Sequence, residues 1–371
     1  MKILHSVFAG LGGHTSVFWA HQNFAQTYNA KLIMSLYGIE KPLKDTIKSL
    51  EERNIEYLYT QKRGRFDFFH PIRYALRIRK IQPDIIFMHG NYGIIFIYAI
   101  CVLLGKSKLI IRETQATTLK TIRQKLNTIF SLLFTHKVVF LSESYKKSVL
   151  DEFPFLKAVC KSNSCVIPNG LDTNFFKSRE NNRTDGIVRI GMISRIVPIK
   201  DHITLIKAFK LVLDSGIQNV ELFIAGDGNY FDVIKNKVNE LGMEERIKLT
   251  GLIEYHYIAE FLSSLDIYVH STKGETMSNS IMQAQSMGLP VVASDVFGVN
   301  NVIDDKKNGF LFELGNYEEL KDILIRLIQD EGLRRHYQAI SRKYAEENFS
   351  DESMARRYYS LFKEVLKGRL P

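Results

Sequence analysis

The segment at residues 273–293, KGETMSNSIMQAQSMGLPVVA, places one carboxylate directly before a predicted helix start. It follows a strand-like run at 266–270, and a glycine and a proline end the predicted helix before another strand begins. The amides of a helix's first turn lack internal partners, so a helix that begins at Ser278 and Asn279 can bind a phosphate. Glu275 can accept hydrogen bonds from the hydroxyls of a polyol. The alternative is an ordinary loop in which Glu275 interacts only with the helix dipole.

Two cations follow another predicted strand, Val188–Ile193. Arg195 and Lys200 lie in its carboxyl-terminal loop, close to the start of the next predicted helix. Two positive charges at that position can neutralise a diphosphate. Taken alone, the pair is more typical of ordinary surface charges, but its place in the same predicted sheet as Glu275 favours a binding site.

The first strand, residues 2–8, runs into a glycine-rich loop that contains Gly12 and Gly13. A strand, a glycine-rich loop and a helix together form a βα unit that lets a ligand approach the backbone, although a plain tight turn has the same pattern. The spacing is not G-x-G-x-x-G, so no dinucleotide fingerprint is predicted. A later buried strand ends at His89, at the sheet edge where open α/β sheets bind ligands.

The order of the predicted elements indicates an α/β protein with two doubly wound, Rossmann-like domains. Strands and helices alternate along most of the 371 residues, a length typical of two domains. The polar segment 177–186, KSRENNRTDG, is the predicted linker. The sequence therefore predicts an N-terminal domain at 1–176, a C-terminal domain at 187–350 and a last helix at 351–371.

Positive charge is concentrated in the first half of the chain. Residues 1–170 hold 24 Lys and Arg against 11 Asp and Glu, whereas residues 171–371 hold 26 against 29. No recognised nucleic-acid motif is present, so we expect an anionic membrane surface or a phosphate-bearing acceptor as the partner. The segment 62–80 interleaves cations with Phe66, Phe68, Phe69 and Tyr74, as a peripheral membrane contact requires.

Two alternatives to this membrane contact stay open. The basic face can be merely solvated, and the helix around residues 72–81 can be an ordinary amphipathic helix that buries Ile72, Leu76 and Ile81. The apolar run at 94–104 is too short to span a bilayer and predicts a buried helix. Three cysteines without a metal-ligand pattern, and no secretory signal before Lys2, favour a cytoplasmic protein that associates peripherally with the inner face of the membrane.

Four strings, in this order, make the chain resemble the retaining glycosyltransferases of family 4. They are IPNGLD at 167–172, RIVPIK at 195–200, AGDG at 225–228 and GETMSNSIMQAQSMGLPVVASDVFG at 274–298. The resemblance covers nearly the whole chain. It implies the GT-B fold, with two domains facing each other across a cleft and the last helix crossing back to the first domain. It also implies that the domain at 1–176 binds the acceptor and the domain at 187–350 a nucleotide-sugar donor. No metal cofactor is implied, and the sequence has no D-x-D motif.

The resemblance assigns roles to individual residues. Arg195 and Lys200 would hold the donor diphosphate, with Gly12 and Gly13 beneath it. Glu275 matches the first acid of the family's E-x7-E motif, which contacts the transferred sugar, and residues Thr276, Met277, Ser278 and Asn279 continue the donor site. His89 matches the family histidine near the reacting sugar carbon, and Ile253 a position beside the base.

One position departs from the family motif. Gln283 stands where the second acid, which binds the ribose hydroxyls, is expected; an amide keeps one acceptor, so an active enzyme with altered donor affinity is predicted. The acceptor implied is a glycan or lipid-linked oligosaccharide in cell-surface polysaccharide synthesis. Two alternatives remain open, a nucleotide-sugar 2-epimerase of the same architecture and a non-catalytic partner that retains the fold.

Overall fold

The structure is a computed structural model that describes residues 1–9, 14–64, 67, 69–90, 105–115, 120–177 and 183–368. The chain divides into two units, which are described separately. Unit 1 contains residues 1–170 together with 351–371, and unit 2 contains residues 171–350. Gly12 and Gly13, the predicted helix at 94–104, Phe66, Phe68 and part of the predicted linker lie outside the described residues.

Unit 1 is built on a parallel sheet with the strand order β3-β2-β1-β4-β5-β6-β7. Its strands are β1 (Lys2–Phe8), β2 (Lys31–Gly38), β3 (Tyr57–Gln61), β4 (Ile85–His89), β5 (Lys108–Arg112), β6 (Lys137–Phe140) and β7 (Ser164–Val166). The described helices are α1 (His14–Asn23), α2 (Lys44–Glu52), α3 (His70–Ile81), α4 (Ile122–Phe134), α5 (Glu143–Glu152) and α6 (Lys157–Asn163). Strands covered on both faces need apolar side chains on both faces, which explains the continuous apolar run of β4.

Unit 2 has a second parallel sheet with the order β10-β9-β8-β11-β12-β13. Its strands are β8 (Val188–Ile193), β9 (Val220–Ala225), β10 (Ile247–Gly251), β11 (Ile267–His270), β12 (Val291–Ser294) and β13 (Phe310–Phe312). Its helices are α7 (His202–Asp214), α8 (Phe231–Glu240), α9 (Ile258–Ser263), α10 (Asn279–Ser286), α11 (Tyr317–Gln329) and α12 (Glu331–Asn348). The α/β architecture predicted from the sequence is confirmed in both units.

The last helix, α13 (Asp351–Leu366), belongs to unit 1 although it follows unit 2 in the chain. Its apolar side, which includes Tyr358, Tyr359 and Phe362, packs into the same core as β1 and α1. The Tyr359 hydroxyl donates a 2.7 Å hydrogen bond to the carbonyl oxygen of His21. The predicted return of the chain to its first domain is therefore confirmed.

The segment 171–176, which the sequence placed at the end of the first domain, packs in unit 2. Phe176 is fully buried, and its carbonyl oxygen accepts hydrogen bonds from Ser286 and Arg342. Leu171 forms a β-bridge with Ser350. These contacts start unit 2 before the polar segment that suggested the boundary.

The side chains of α3 differ from the alternative in which Ile72 and Leu76 lie in the core. Both are more than half exposed, whereas Tyr74 and Ile78 are buried. Tyr74 was also predicted to enter a membrane, and that prediction is wrong: its hydroxyl is hydrogen-bonded to Ser6 and Ser35 beneath the helix. One tyrosine with buried polar partners thus determines which side of α3 faces inward. A hydrophobic pattern alone does not reveal such partners.

Candidate active site

The loops after β8 and β11 carry most of the predicted residues of unit 2. The two strands are neighbours and parallel, so their carboxyl ends lie side by side. The Lys273 amide and the Thr272 hydroxyl both donate hydrogen bonds to the Ile199 carbonyl oxygen, at 2.8 and 3.1 Å. These bonds fasten the loop that bears Lys200 to the loop that bears Glu275.

Lys200 and Glu275 form an ion pair in which the ammonium group contacts Oε1. Both side chains are largely buried, at 12% and 17% exposed. Burial, followed by the charge of nearby Arg195, lowers the pKa of Lys200 to about 7. Arg195 itself is exposed. The structure therefore brings Arg195 and Lys200 together with Glu275, which follows Lys200 by 75 positions in the sequence.

His270 is a third member of this cluster, and the sequence analysis did not identify it. Its Nε2 atom lies 3.0 Å from Oε1 of Glu275. Burial, followed by the charges of Lys200 and His202, lowers its pKa well below the usual range, so the ring is neutral. A carboxylate only accepts hydrogen bonds, so Nε2 carries the ring hydrogen and donates a hydrogen bond to Glu275. The signal was available as a histidine at the last residue of a predicted strand.

The helix α10 begins where the sequence predicted. Ser278 is its N-cap and accepts a hydrogen bond from the Ile281 amide, and its hydroxyl also lies 3.3 Å from Nε2 of His270. Thr276 and Met277 are buried beside Glu275, Asn279 is half-buried, and Gln283 is 9% exposed on the helix. The first turn of α10 thus lies next to the Lys200, Glu275 and His270 cluster.

Two glycines allow the loops of the site to approach each other closely. Gly298 has φ +90°, and a side chain there would overlap the carbonyl oxygen of Glu275. Gly226, at φ +138°, would likewise overlap the carbonyl oxygen of Ser194, next to Arg195. The glycine of the AGDG string is therefore required by the approach of the two loops. Ile253 lies half-buried in the loop after β10.

In unit 1, His89 lies at the end of β4 with its side chain fully buried. Its Nε2 atom is 3.0 Å from Nδ1 of His5, and the two rings stack. Burial lowers the pKa of His5 to about 3, so His5 is neutral. His89 is therefore held from inside the domain by a second histidine that the sequence did not single out.

Within the described residues, no group of three or more His, Cys, Asp and Glu side chains is arranged to hold a metal ion. Over the same part of the chain, no helix is long and apolar enough to cross a membrane.

Comparison with known proteins identifies a family for the second unit. Residues 173–344 match the family described as glycosyl transferases group 1. The poly(ribitol-phosphate) alpha-N-acetylglucosaminyltransferase of Staphylococcus aureus is 27% identical over 61% of this chain and 43% of its own length. The UDP-Gal:alpha-D-GlcNAc-diphosphoundecaprenol alpha-1,3-galactosyltransferase of Escherichia coli is 28% identical over 45% of this chain and 46% of its own length. The chain thus spans less than half the length of each of these relatives.

A solved structure covers the whole chain. Anabaena HepE, crystallised in complex with UDP and glucose, superposes with a TM-score of 0.81 at 19% identity over 98% of this chain and 99% of its own. At that identity the likeness concerns the fold. It confirms the GT-B fold with its two Rossmann-like domains.

Proposed function

Because residues 173–344 match glycosyl transferases group 1, we propose that this chain is a retaining glycosyltransferase that moves a sugar from a nucleotide-sugar donor to a glycan or lipid-linked acceptor. The observation that carries the proposal is the cluster of Lys200, Glu275 and His270 at the N-terminus of α10. It offers the Lys200 ammonium group and the first-turn amides to a diphosphate, and the Glu275 carboxylate to sugar hydroxyls.

In the proposed reaction, the charge that develops on the departing nucleotide diphosphate is stabilised by Arg195, Lys200 and the first-turn amides of α10. The bond between the anomeric carbon and the phosphate oxygen breaks, and the acceptor oxygen bonds to that carbon on the same face. The acceptor proton passes to the leaving phosphate, and no metal is required. Glu275 orients the sugar, and its own orientation is fixed by His270 Nε2–H.

His89 and Gly12–Gly13 are the proposed contributions of unit 1, His89 near the reacting sugar carbon and the glycines beneath the diphosphate. Ile253 is proposed to lie beside the base, and Gln283 to bind the ribose hydroxyls. These roles follow the family motif, matched position by position.

The donor we propose is a UDP-hexose or UDP-N-acetylhexosamine. Support comes from the UDP in the HepE structure and from the UDP-sugar named for the Escherichia coli relative. The acceptor we propose is a lipid-linked or surface glycan, as in the diphosphoundecaprenol acceptor of that relative and the poly(ribitol-phosphate) of the Staphylococcus protein. We place the enzyme at the cytoplasmic face of the membrane, peripherally bound through the basic unit 1.

A panel of UDP- and GDP-sugars, incubated with and without lipid extract, tests the proposal. We expect nucleotide release to depend on the acceptor and to produce a glycolipid with retained anomeric configuration. Release without an acceptor would instead indicate a 2-epimerase or hydrolase, and donor binding without any release a non-catalytic partner. Glu275→Gln should abolish transfer, whereas the matched control Glu240→Gln, at an exposed carboxylate of α8, should leave it unchanged.

A further inference from the structure

The helix α4 exposes more of its large apolar side chains than it buries. Its buried side holds the polar residues Thr128 and Ser131 together with Leu132. Five large apolar side chains are exposed, with fractions from 43% to 80%, at Ile122, Leu126, Phe130, Leu133 and Phe134. A solvent-exposed helix normally shows the opposite arrangement, so the outer side of α4 is suited to an apolar environment.

The buried polar side of α4 is held by specific partners. The ammonium group of Lys120 donates to both Glu113 and the Thr128 hydroxyl, at 2.5 and 2.6 Å, and all three side chains are buried. The helix cannot turn its apolar side inward without breaking the hydrogen bonds that the buried Thr128 hydroxyl makes with Lys120 and Glu113. The outward orientation is therefore a stable property of the domain.

The exposed side chains of α4 form one continuous stripe. Their spacing of 4, 4, 3 and 1 residues puts them on one side of a helix that is about 20 Å long. The rings of Phe130 and Phe134 stack at a centroid distance of 5.7 Å.

The helix α3 lies on the same face of the sheet as α4. Both connect strands that follow each other in the same direction across the sheet, β3 to β4 and β5 to β6. Right-handed crossovers in one direction place their helices on one face. The outward side of α3 also exposes apolar side chains, Ile72 and Leu76, and Phe69 is exposed at its N-cap.

The charge of the two helices identifies the partner. Together α3 and α4 contain six Arg and Lys and no Asp or Glu. Two of the six, Arg73 and Lys125, pair with Asp67 and Glu152, and the other four, Arg77, Arg79, Lys80 and Arg123, are exposed on the same two helices. A second copy of this chain would bring the same positive face against it, whereas an anionic bilayer offers both phosphate and hydrocarbon.

We propose that α3 and α4 dock on an anionic lipid bilayer, with the exposed side chains of α4 inserted at the boundary between headgroups and acyl chains. The inference deepens the membrane partner of the proposed function and rests on it, but its test needs neither donor nor turnover. It differs from the sequence prediction in placing α4, and not the segment 62–80, at the centre of the contact.

Flotation with lipid vesicles tests the docking. We expect the protein to bind phosphatidylglycerol-containing vesicles at least tenfold more tightly than pure phosphatidylcholine vesicles. The double variant Leu126→Asp/Phe130→Asp should lose at least tenfold in that binding, and Arg79→Glu/Lys80→Glu should lose the preference for anionic lipid. Val233→Asp, at a similarly exposed apolar residue of unit 2, is the matched control and should bind as the unaltered protein does.

Insertion has its own readout. The chain has a single tryptophan, Trp19, so a Trp19→Phe/Phe130→Trp protein reports on the stripe alone. Its emission should shift to shorter wavelength with anionic vesicles. An unshifted emission, or equal binding to both vesicle types, would overturn the proposal.

Two further outcomes would also overturn it. A melting temperature several degrees lower in the double variant would show that the stripe is covered by other parts of the chain. A dimer in sedimentation that Leu126→Asp/Phe130→Asp dissociates would show that a second copy covers it. Vesicle binding without sugar transfer, in contrast, would refute only the proposed function.

Discussion

At the scale of single residues, Lys200 combines burial with a neighbouring cation. Both features lower its pKa, to about 7, so the free protein loses this charge near neutral pH. A bound diphosphate favours the protonated form. Donor binding above pH 7 must therefore take up a proton, and the donor Kd should rise by up to tenfold per pH unit, whereas below pH 7 it should stay flat.

Titration of donor affinity between pH 6 and 9 checks this, with a nucleotide-sugar as ligand, because a free nucleoside diphosphate titrates near pH 6 itself. Lys200→Arg is the control. Its guanidinium stays charged across the range, so its profile should be flat. An equally steep rise in both proteins would assign the effect to another group.

Gln283 is a second residue whose replacement should change the affinity for the donor. A carboxylate accepts stronger hydrogen bonds from ribose hydroxyls than an amide does, so Gln283→Glu should lower the donor Kd several-fold. The measurement is calorimetric titration with the ribose and the 2′-deoxyribose forms of the donor. The gain should vanish with the deoxy donor. An unchanged Kd for both forms would refute the ribose role of this position.

His21 illustrates a polar residue that costs stability. Its ring is fully buried among Phe87, Tyr358 and Phe362, and neither ring nitrogen has a hydrogen-bond partner within the described residues. Its pKa is lowered well below the usual range by burial and by the charges of neighbouring groups, so it stays neutral while the unfolded chain takes up a proton below about pH 6.5. The free energy of unfolding therefore falls as the pH falls below that value.

Replacement of His21 by Phe should raise the free energy of unfolding by about 1 kcal/mol at pH 7, because an unpaired buried N–H is removed. As the pH falls below about 6.5, the free energy of unfolding should also decrease less steeply, by up to about 1.4 kcal/mol per pH unit. Denaturant unfolding of unit 1 at pH 7 and pH 5 measures both. A less stable variant at both pH values would show that the ring makes a contact of its own.

At the scale of elements, the position of the loop 295–298 decides where Glu275 stands. Gly298→Ala would place a methyl group against the Glu275 carbonyl oxygen in a left-handed backbone, so the loop must move. Gly315→Ala is the matched control: its φ is +79°, but nothing lies within 4 Å of the new Cβ. Both should lose about 1 kcal/mol of stability, and only Gly298→Ala should lose turnover, by at least tenfold.

The positions of strands were predictable where the pattern of apolar residues was clear. The strands β1 and β8 have the bounds that the sequence indicated, because each is a short apolar run. Periodicity could not tell which side of α3 or α4 faces inward, since that depends on distant partners such as Ser35 for Tyr74 and Glu113 for Lys120. The same reason hid His270 and His5, whose importance comes from neighbours on other elements.

At the scale of the whole molecule, the last helix of the chain completes the hydrophobic core of unit 1. The helix α13 buries six residues in the core of that unit, among them Tyr358, Tyr359 and Phe362. At roughly 1.5–3 kcal/mol for each large side chain, their loss amounts to on the order of 10 kcal/mol, which equals the whole stability of an ordinary domain. Unit 2 makes no use of this helix for its own core.

A chain that ends at Ser350 should therefore lose the unfolding transition of unit 1 in calorimetry and retain that of unit 2. If unit 2 holds the donor, the retained transition should still shift upward when nucleotide-sugar is added. A chain that ends at Lys367 keeps α13 and is the control, in which both transitions should persist. Loss of both transitions after truncation at Ser350 would show that unit 2 depends on unit 1 for folding, because the removed residues contribute nothing to its own core.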